Sequence, residues 1–289
     1  MSYILHLLIL LSIYSVLSLS LNLLVGYTGL FSFAHAAFYG IGAYITTLLM
    51  IKAGWGFFPA LFIAILGAIL LSLIVAIPSL RLKGDYFVLA TLGFQTIIFY
   101  ILYNWVGLTN GPYGIPGIPR PKFLGFGVDS TFAYSVFSIL LSGICLLLLW
   151  RICESPFGRT LRAIRDDEIA ASALGKNIYR FKVLAFVLSG AFASVPGALF
   201  ASYMRYIDPT SFTLMETVFI LSAVLIGGAG NIKGPIIGTV FVILLPEFLR
   251  FLHIPDTIAP NVRQILYGLF ILILMRLRPQ GLGGEYKLQ

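Results

Sequence analysis

The chain has 289 residues, of which 59% are hydrophobic and only 10% are charged, and its mean hydropathy is +0.98. Soluble domains carry about 25% charged residues, so this composition excludes an ordinary soluble domain and predicts a membrane protein. The net charge of +8 is typical of Lys- and Arg-rich cytoplasmic loops. No basic run interleaved with aromatic residues indicates nucleic-acid binding.

The apolar runs predict the fold. A helix crosses a bilayer with about 20 mostly apolar residues, and nine runs qualify. The predicted fold class is all-α, a polytopic transmembrane helical bundle of about 8–10 spans, in a single domain covering residues 1–289. Gly and polar residues between positions 22 and 51 allow a break there. The predicted spans are 4–24, 30–51, 57–80, 86–104, 131–150, 181–203, 212–227, 235–251 and 262–275.

A polar, charge-dense loop, residues 152–182, separates two groups of spans. Ser155 and Pro156 are typical of an N-cap followed by the first helical residue. Asp166 is predicted to cap a second helix, and Gly175 is suited to end it. We therefore expect one or two short helices outside the bilayer. The residues leave two interpretations open, namely a contact for a soluble ATPase and a basic helix lying on anionic lipid.

The distribution of basic residues predicts the orientation. If the spans alternate, most of the 19 Lys and Arg residues lie on the side of the 152–182 loop. That side is then cytoplasmic and includes the C-terminus, and with nine spans the N-terminus lies outside. Residues 105–130, rich in Pro and Gly, form an external loop, interpreted as an ordered linker, a plug or a docking surface.

Three motifs carry a family resemblance. SPFGRTLRAIRDDEIAASALG (155–175) is followed by a helix with small residues at Ser189, Gly190, Ala193 and Gly197. The others are NLLVGYTGLFSFAHAAFYGIGAY (22–44) and IGGAGNIKG (226–234). From Asn22 to Gly281 the chain resembles the LivM-type permeases of branched-chain amino-acid ABC importers. Permeases of urea and short-amide importers are similar. One departure is Ala34, where the family usually has Gly before the histidine.

The resemblance implies an inner-membrane transport subunit of a bacterial-type cell that works by alternating access. Its implied partners are two ATP-binding subunits, a second and paralogous permease, an external substrate-binding protein and membrane lipid, without nucleic acid. It also implies that the loop docks in the ATPase, and the residues predicted for this contact are Arg162, Arg165, Glu168, Ala170, Ala171 and Gly175. The two arginines are interpreted as partners for acidic ATPase residues.

Polar residues inside spans are candidates for a translocation path. A lone histidine in a membrane is also typical of a packed, hydrogen-bonded core residue, and a glutamate near a span end is also typical of the interface. A hinge is predicted at Pro196–Gly197. The candidate path residues are Asn22, Ser32, His35, Thr91, Gln95 and Glu216.

Enzyme chemistry is not indicated. The chain lacks GxxxxGK[ST], so ATP hydrolysis is expected on a separate chain. Three scattered histidines and two cysteines offer no metal-site spacing, so neither a metal nor another cofactor is expected. The alternatives are an amide or urea permease and, in another class, a stand-alone facilitator or an ion-coupled carrier.

Overall fold

The computed structural model of the protein describes residues 2–82, 84–123, 126–128 and 130–250, and isolated residues between 262 and 283. The described chain is a helical bundle. Its helices are α1 (Ser2–Thr28), α2 (His35–Lys52), α3 (Phe57–Ser79), α4 (Asp85–Asn104), α5 (Val106–Thr109), α6 (Thr131–Glu154), α7 (Pro156–Asp166), α8 (Glu168–Ala173), α9 (Ile178–Met204), α10 (Leu214–Gly227) and α11 (Lys233–Arg250).

The long helices turn apolar side chains outward. On α3 the exposed residues Phe62, Leu66, Leu70 and Ile74 recur every four positions and form one stripe. On α6 the hydroxyls of Ser135, Ser138 and Ser142 are buried, while Leu140 and Ile144 are exposed. Apolar side chains exposed in this way cost free energy in water, but they are favourable in contact with the hydrocarbon of a bilayer. The exterior is therefore a lipid-facing surface.

Helix α2 lies in the centre, between α3 and α9. A Cβ on Gly42 would come within 2.2 Å of the Ser194 carbonyl oxygen, and one on Gly197 within 2.1 Å of the Tyr39 carbonyl oxygen. Glycine at both positions lets the backbones of α2 and α9 approach closely, as small residues do in membrane helices. Helix α9 continues through Pro196 and Gly197. The predicted hinge there stays a prediction.

The observed helices agree with the predicted bundle. Five are long and apolar enough to cross a membrane, namely α1, α3, α4, α6 and α9. Two further predicted spans are α2 and α11, each of 18 residues, and α10 is shorter, with 14. The break expected between positions 22 and 51 occurs at residues 29–34, where Gly29 adopts a φ of +70° and ends α1. Of the predicted span 262–275 the structure describes scattered residues, and each of these is helical.

The loop 105–130 and the segment after α9 contain short ordered elements. Two-residue strands β1 (Ile115–Pro116) and β4 (Tyr206–Ile207) pair antiparallel, as do β2 (Lys122–Phe123) and β3 (Phe126–Gly127). Short 3₁₀ turns lie at Gly111–Tyr113 and Pro209–Phe212. The all-α prediction holds, and within this loop, where proline and glycine prevent a long helix, the extended segments are only two residues long. The pairing joins the loop to the segment after α9.

Candidate functional site

Helix α7 begins as predicted. The Ser155 hydroxyl accepts hydrogen bonds from the backbone N–H groups of Phe157 and Gly158, and Pro156 is the first helical residue. Leu161 and Ile164 are buried. A Cβ on Gly158 would lie 2.0 Å from the Cys153 carbonyl oxygen, so glycine allows the turn to fold back closely on the end of α6. Helix α7 is therefore packed on the bundle.

The two candidate arginines contact their own chain. Arg165 donates from Nη1 to the Gly26 carbonyl oxygen at 2.5 Å, and its side chain is only 9% exposed. The Arg162 guanidinium lies 5.6 Å from the centre of the Tyr27 ring and 3.8 Å from a Glu154 carboxylate oxygen. Cation–π and charge-assisted contacts of this kind favour a fixed position. Both arginines therefore hold α7 against the last turn of α1.

The second helix is capped one residue later than predicted. Asp166 is still helical and pairs with Arg165, whereas Asp167 leaves the helix with a φ of −155°. The Asp167 carboxylate accepts from the N–H groups of Ile169 and Ala170, so Asp167 is the N-cap of α8. The prediction of Asp166 was wrong, because the backbone leaves the helix at Asp167 and it is the Asp167 carboxylate that reaches the first N–H groups of α8.

The other end of α8 confirms the predicted terminator. Gly175 has a φ of +76°, its N–H bonds the Ser172 carbonyl oxygen, and the next N–H, of Lys176, bonds the Ala171 carbonyl oxygen. This is a Schellman ending, which requires the left-handed conformation that glycine adopts most easily. Glu168 forms an ion pair with Lys182 at the start of α9. The α7–α8 hairpin (Pro156–Ala173) is thus fixed at both ends.

The hairpin exposes apolar residues that the sequence analysis did not select. Ile169 is 84% exposed and Leu174 is 79% exposed, while Ala171 is 3% exposed. Ala171 therefore packs inside the chain, and its neighbour Ala170 faces outward. The exposure of these two residues could have been predicted from the sequence, because both are large apolar residues in a short helical segment of a polar loop, where lipid does not cover them. We call Ile169, Ala170 and Leu174 the apolar tip.

All six candidate path residues have hydrogen bonds within the bundle. His35 Nε2 lies 2.9 Å from the Ser20 hydroxyl and 3.1 Å from the Leu17 carbonyl oxygen. Gln95 donates to the Phe212 carbonyl oxygen at 2.8 Å. The Ser32 hydroxyl accepts from Ala34, and that of Thr91 from Phe33.

Asn22 links α1 to the turn between α10 and α11. Its amide nitrogen donates to the Asn231 carbonyl oxygen at 2.7 Å, and its amide oxygen accepts from the Gly230 N–H at 3.1 Å. Gly26, one turn later, bonds Arg165. The α7–α8 hairpin and the α10–α11 turn therefore meet at the same end of α1.

Glu216, the sixth candidate, borders a cavity of about 630 Å³ at the opposite end of the bundle. The Tyr14 hydroxyl donates to its carboxylate at 2.5 Å. The cavity lies between α1, α9, α10 and α11, on the side that carries β4 and the loop 105–130. The structure thus separates Glu216 from the other five residues, which do not line this cavity.

Comparison with known proteins then decides the family. A family model described as "Branched-chain amino acid transport system / permease component" matches residues 3–275. The chain belongs to this family. With five helices that are long and apolar enough to cross a membrane, this member of the permease family is an integral membrane protein.

Individual relatives agree with the permease family. The chain is 34% identical over 294 residues to the high-affinity branched-chain amino acid transport system permease protein LivM of Escherichia coli (strain K12), covering 93% of this chain and 67% of the relative. The probable LivM of Methanocaldococcus jannaschii is 26% identical over 313 residues, covering 93% and 90%. The autoinducer 2 import system permease protein LsrC of Salmonella typhi is 30% identical over 176 residues, covering 58% and 48%. No solved structure matches the chain.

Among the described residues, no three His, Cys, Asp or Glu side chains are grouped to hold a metal ion. Both cysteines are free and buried. The candidate site thus has two parts at opposite ends of the bundle, the α7–α8 hairpin and the Glu216 cavity.

Proposed function

We propose that this permease is the membrane subunit of an ATP-driven importer for branched-chain amino acids. The observation that carries the proposal is the apolar tip, which presents Ile169 and Leu174 to solvent on a hairpin fixed to the bundle. Exposed apolar residues on a rigid support are typical of a docking surface. The occupant is an ATPase subunit, since the chain has no ATP-binding motif of its own.

The contacts of the hairpin give a route for the conformational change. A push on α8 reaches α7 through the capped junction at Asp167 and then reaches α1 through the Arg165–Gly26 hydrogen bond. Asn22 carries the displacement on to the α10–α11 turn. Rigid elements joined by hydrogen bonds move together, and such movement of helices around a cavity is the basis of alternating access.

The orientation follows from the positions of the two ends. The ATPase lies in the cytoplasm, so the hairpin is cytoplasmic and the Glu216 cavity opens toward the outside. Gly283, near the C-terminus, donates to the Gly227 carbonyl oxygen at 2.8 Å, at the hairpin end of the bundle. This contact supports a cytoplasmic C-terminus.

The proposed complex has two ATPase subunits, a second and paralogous permease, and an external substrate-binding protein that delivers the solute. The relatives named for branched-chain amino acid transport support this substrate class. Helix α7, with buried Leu161 and Ile164 and the Arg165 anchor, positions the docking surface, while Gln95, Thr91 and His35 keep the helices around α2 in register.

The first experiment is affinity purification of the tagged chain from its native membrane in mild detergent, followed by mass spectrometry. We expect an ATPase with a Walker A motif and a second permease. The purified complex, reconstituted with its binding protein, should import leucine but not urea when ATP is supplied. A homo-oligomer that reproducibly lacks an ATPase would contradict the proposal and favour a stand-alone facilitator.

A further inference from the structure

The Glu216 cavity combines an acidic end with an apolar wall. Its volume of about 630 Å³ is within the range of roughly 300–1,000 Å³ of small-molecule sites. The apolar wall includes Leu7, Leu10, Val218, Phe219 and Ile243. Such a wall favours an apolar side chain over a fully polar solute.

The titratable groups that line the cavity with a His or carboxylate side chain are Glu216, Glu247 and His6, and the His6 ring is hydrogen-bonded through Nδ1 to the Tyr203 hydroxyl at 2.6 Å. Two carboxylates, those of Glu216 and Glu247, border it, and no Lys or Arg is among the described residues that line it. None of the three ion pairs between described residues includes either carboxylate. A carboxylate in a partly enclosed cavity favours a cationic partner, since charges removed from water require pairing.

Glu216 is held in one position by its surroundings. It accepts a hydrogen bond from Tyr14, whose ring packs edge-on against Phe219 with centroids 5.2 Å apart. Tyr39 lies behind Phe200 in the cavity wall, with ring centroids 5.6 Å apart. The Tyr39 hydroxyl is buried and has no hydrogen-bond partner among the described residues. The Tyr14 hydroxyl thus holds the Glu216 carboxylate at the cavity wall.

We propose that this cavity is a substrate subsite in which Glu216 binds the ammonium group of an α-amino acid and the apolar wall binds its branched side chain, while the α-carboxylate stays in water at the open side of the cavity. The inference rests on the proposed function and adds the group that recognises the substrate inside the permease. Urea has no ammonium group and no apolar side chain, so the same cavity disfavours urea. Discrimination arises from charge pairing and from burial of apolar surface.

The test uses the complete transporter, with its ATPase and binding protein, in proteoliposomes. Glu216→Gln keeps an acceptor for the Tyr14 hydroxyl but removes the charge. Because the binding protein sets the leucine concentration for half-maximal uptake, we expect that concentration to stay unchanged. The maximal uptake rate should fall at least about tenfold, as when a charge-assisted bond is lost. ATP hydrolysis stimulated by the loaded binding protein should persist.

Two variants make the test specific to the charge at this position. Glu216→Asp should retain most of the uptake rate, since it keeps the carboxylate. Asp85→Asn removes a carboxylate at the opposite end of the bundle and should behave like the unchanged protein. Leucine uptake by Glu216→Gln at the unchanged rate would overturn the subsite while leaving the importer function intact. If the unchanged complex imports urea and not leucine, both proposals fail.

A second measurement keeps the inference testable if Glu216→Gln does not assemble. Ser222 also lines the cavity, and Ser222→Cys introduces a thiol there. For this cysteine, the ratio of the reaction rate with a cationic methanethiosulfonate to the rate with an anionic one should be higher than the same ratio for a free thiol in solution. 3-Methylbutan-1-amine should slow the reaction, and 4-methylpentanoate should not. A rate ratio equal to that of the free thiol, together with no protection by the amine, would overturn the subsite.

Discussion

Arg165 donates a hydrogen bond of 2.5 Å to the backbone carbonyl oxygen of Gly26, 139 residues earlier in the chain. The acceptor belongs to the last turn of α1, where backbone carbonyls lack partners within the helix. The C-terminal end of a helix also attracts positive charge. A Cβ on Gly26 would lie 2.3 Å from the Gly230 backbone nitrogen. One residue of α1 therefore contacts both the α7–α8 hairpin and the α10–α11 turn.

We predict that Arg165→Ala weakens the coupling of ATP hydrolysis to transport. A hydrogen bond from a charged group contributes about 1.5–3 kcal/mol, and without it α7 is held to α1 less firmly. The ratio of leucine imported to ATP hydrolysed should fall several-fold in proteoliposomes. Arg159→Ala is the control, since Arg159 is exposed on the same helix and bonds only the Glu154 carbonyl oxygen among its described contacts. An equal effect of the two changes would contradict this prediction.

Because the apolar tip is the proposed docking surface, we predict that Ile169→Asp and Leu174→Asp abolish binding of the ATPase. A carboxylate placed in a desolvated contact costs several kcal/mol, whereas the isolated permease has both positions in solvent. Co-purification of the ATPase should be lost, and the thermal stability of the permease alone should be unchanged. Tyr113→Asp, at the end of the bundle opposite the hairpin and 75% exposed, makes the same kind of change and should retain the ATPase. If both tip variants co-purify as much ATPase as the unchanged protein does, the contact with the ATPase lies elsewhere.

Neighbouring alanines should respond differently to the same substitution. Ala171 is buried, so Ala171→Arg overpacks the hairpin, a change that costs about 1–3 kcal/mol, and should lower the melting temperature of the permease. Ala170 faces outward, so Ala170→Arg should leave the melting temperature unchanged and reduce ATPase binding. Thermal unfolding and co-purification, measured on both variants, separate the two effects. A stable Ala171→Arg permease that binds the ATPase normally would refute the assigned packing.

The crossing of α2 and α9 should not accept a methyl group. Gly197→Ala places a Cβ against the Tyr39 carbonyl oxygen, and the helices must separate, which costs about 1–3 kcal/mol. The control is Gly143→Ala on α6, where a Cβ meets nothing within 4 Å. Melting temperatures in detergent should fall by several degrees for Gly197→Ala and stay level or rise slightly for Gly143→Ala. Equal melting temperatures would argue against the close approach.

The sequence alone determined the membrane class, most of the spans and the position of the hairpin. These depend on local signals, because run length and hydropathy define a span and short side chains cap helices wherever they occur. Ser155, Pro156 and Gly175 were predicted from such signals and confirmed. Asp166 was predicted wrongly, because two adjacent aspartates carry the same local capping signal and the backbone leaves the helix at Asp167.

Only the tertiary structure decided which face each residue presents. The sequence does not distinguish Ala170 from Ala171, yet one is exposed and the other is buried, because the direction of α8 depends on where α7 packs. Arg165 has a charge suited to a partner protein, but Gly26 is brought within reach by the fold. Glu216 borders a cavity because α1, α10 and α11 converge around it. Contacts between residues far apart in the chain have no local signal, and they define both parts of the site.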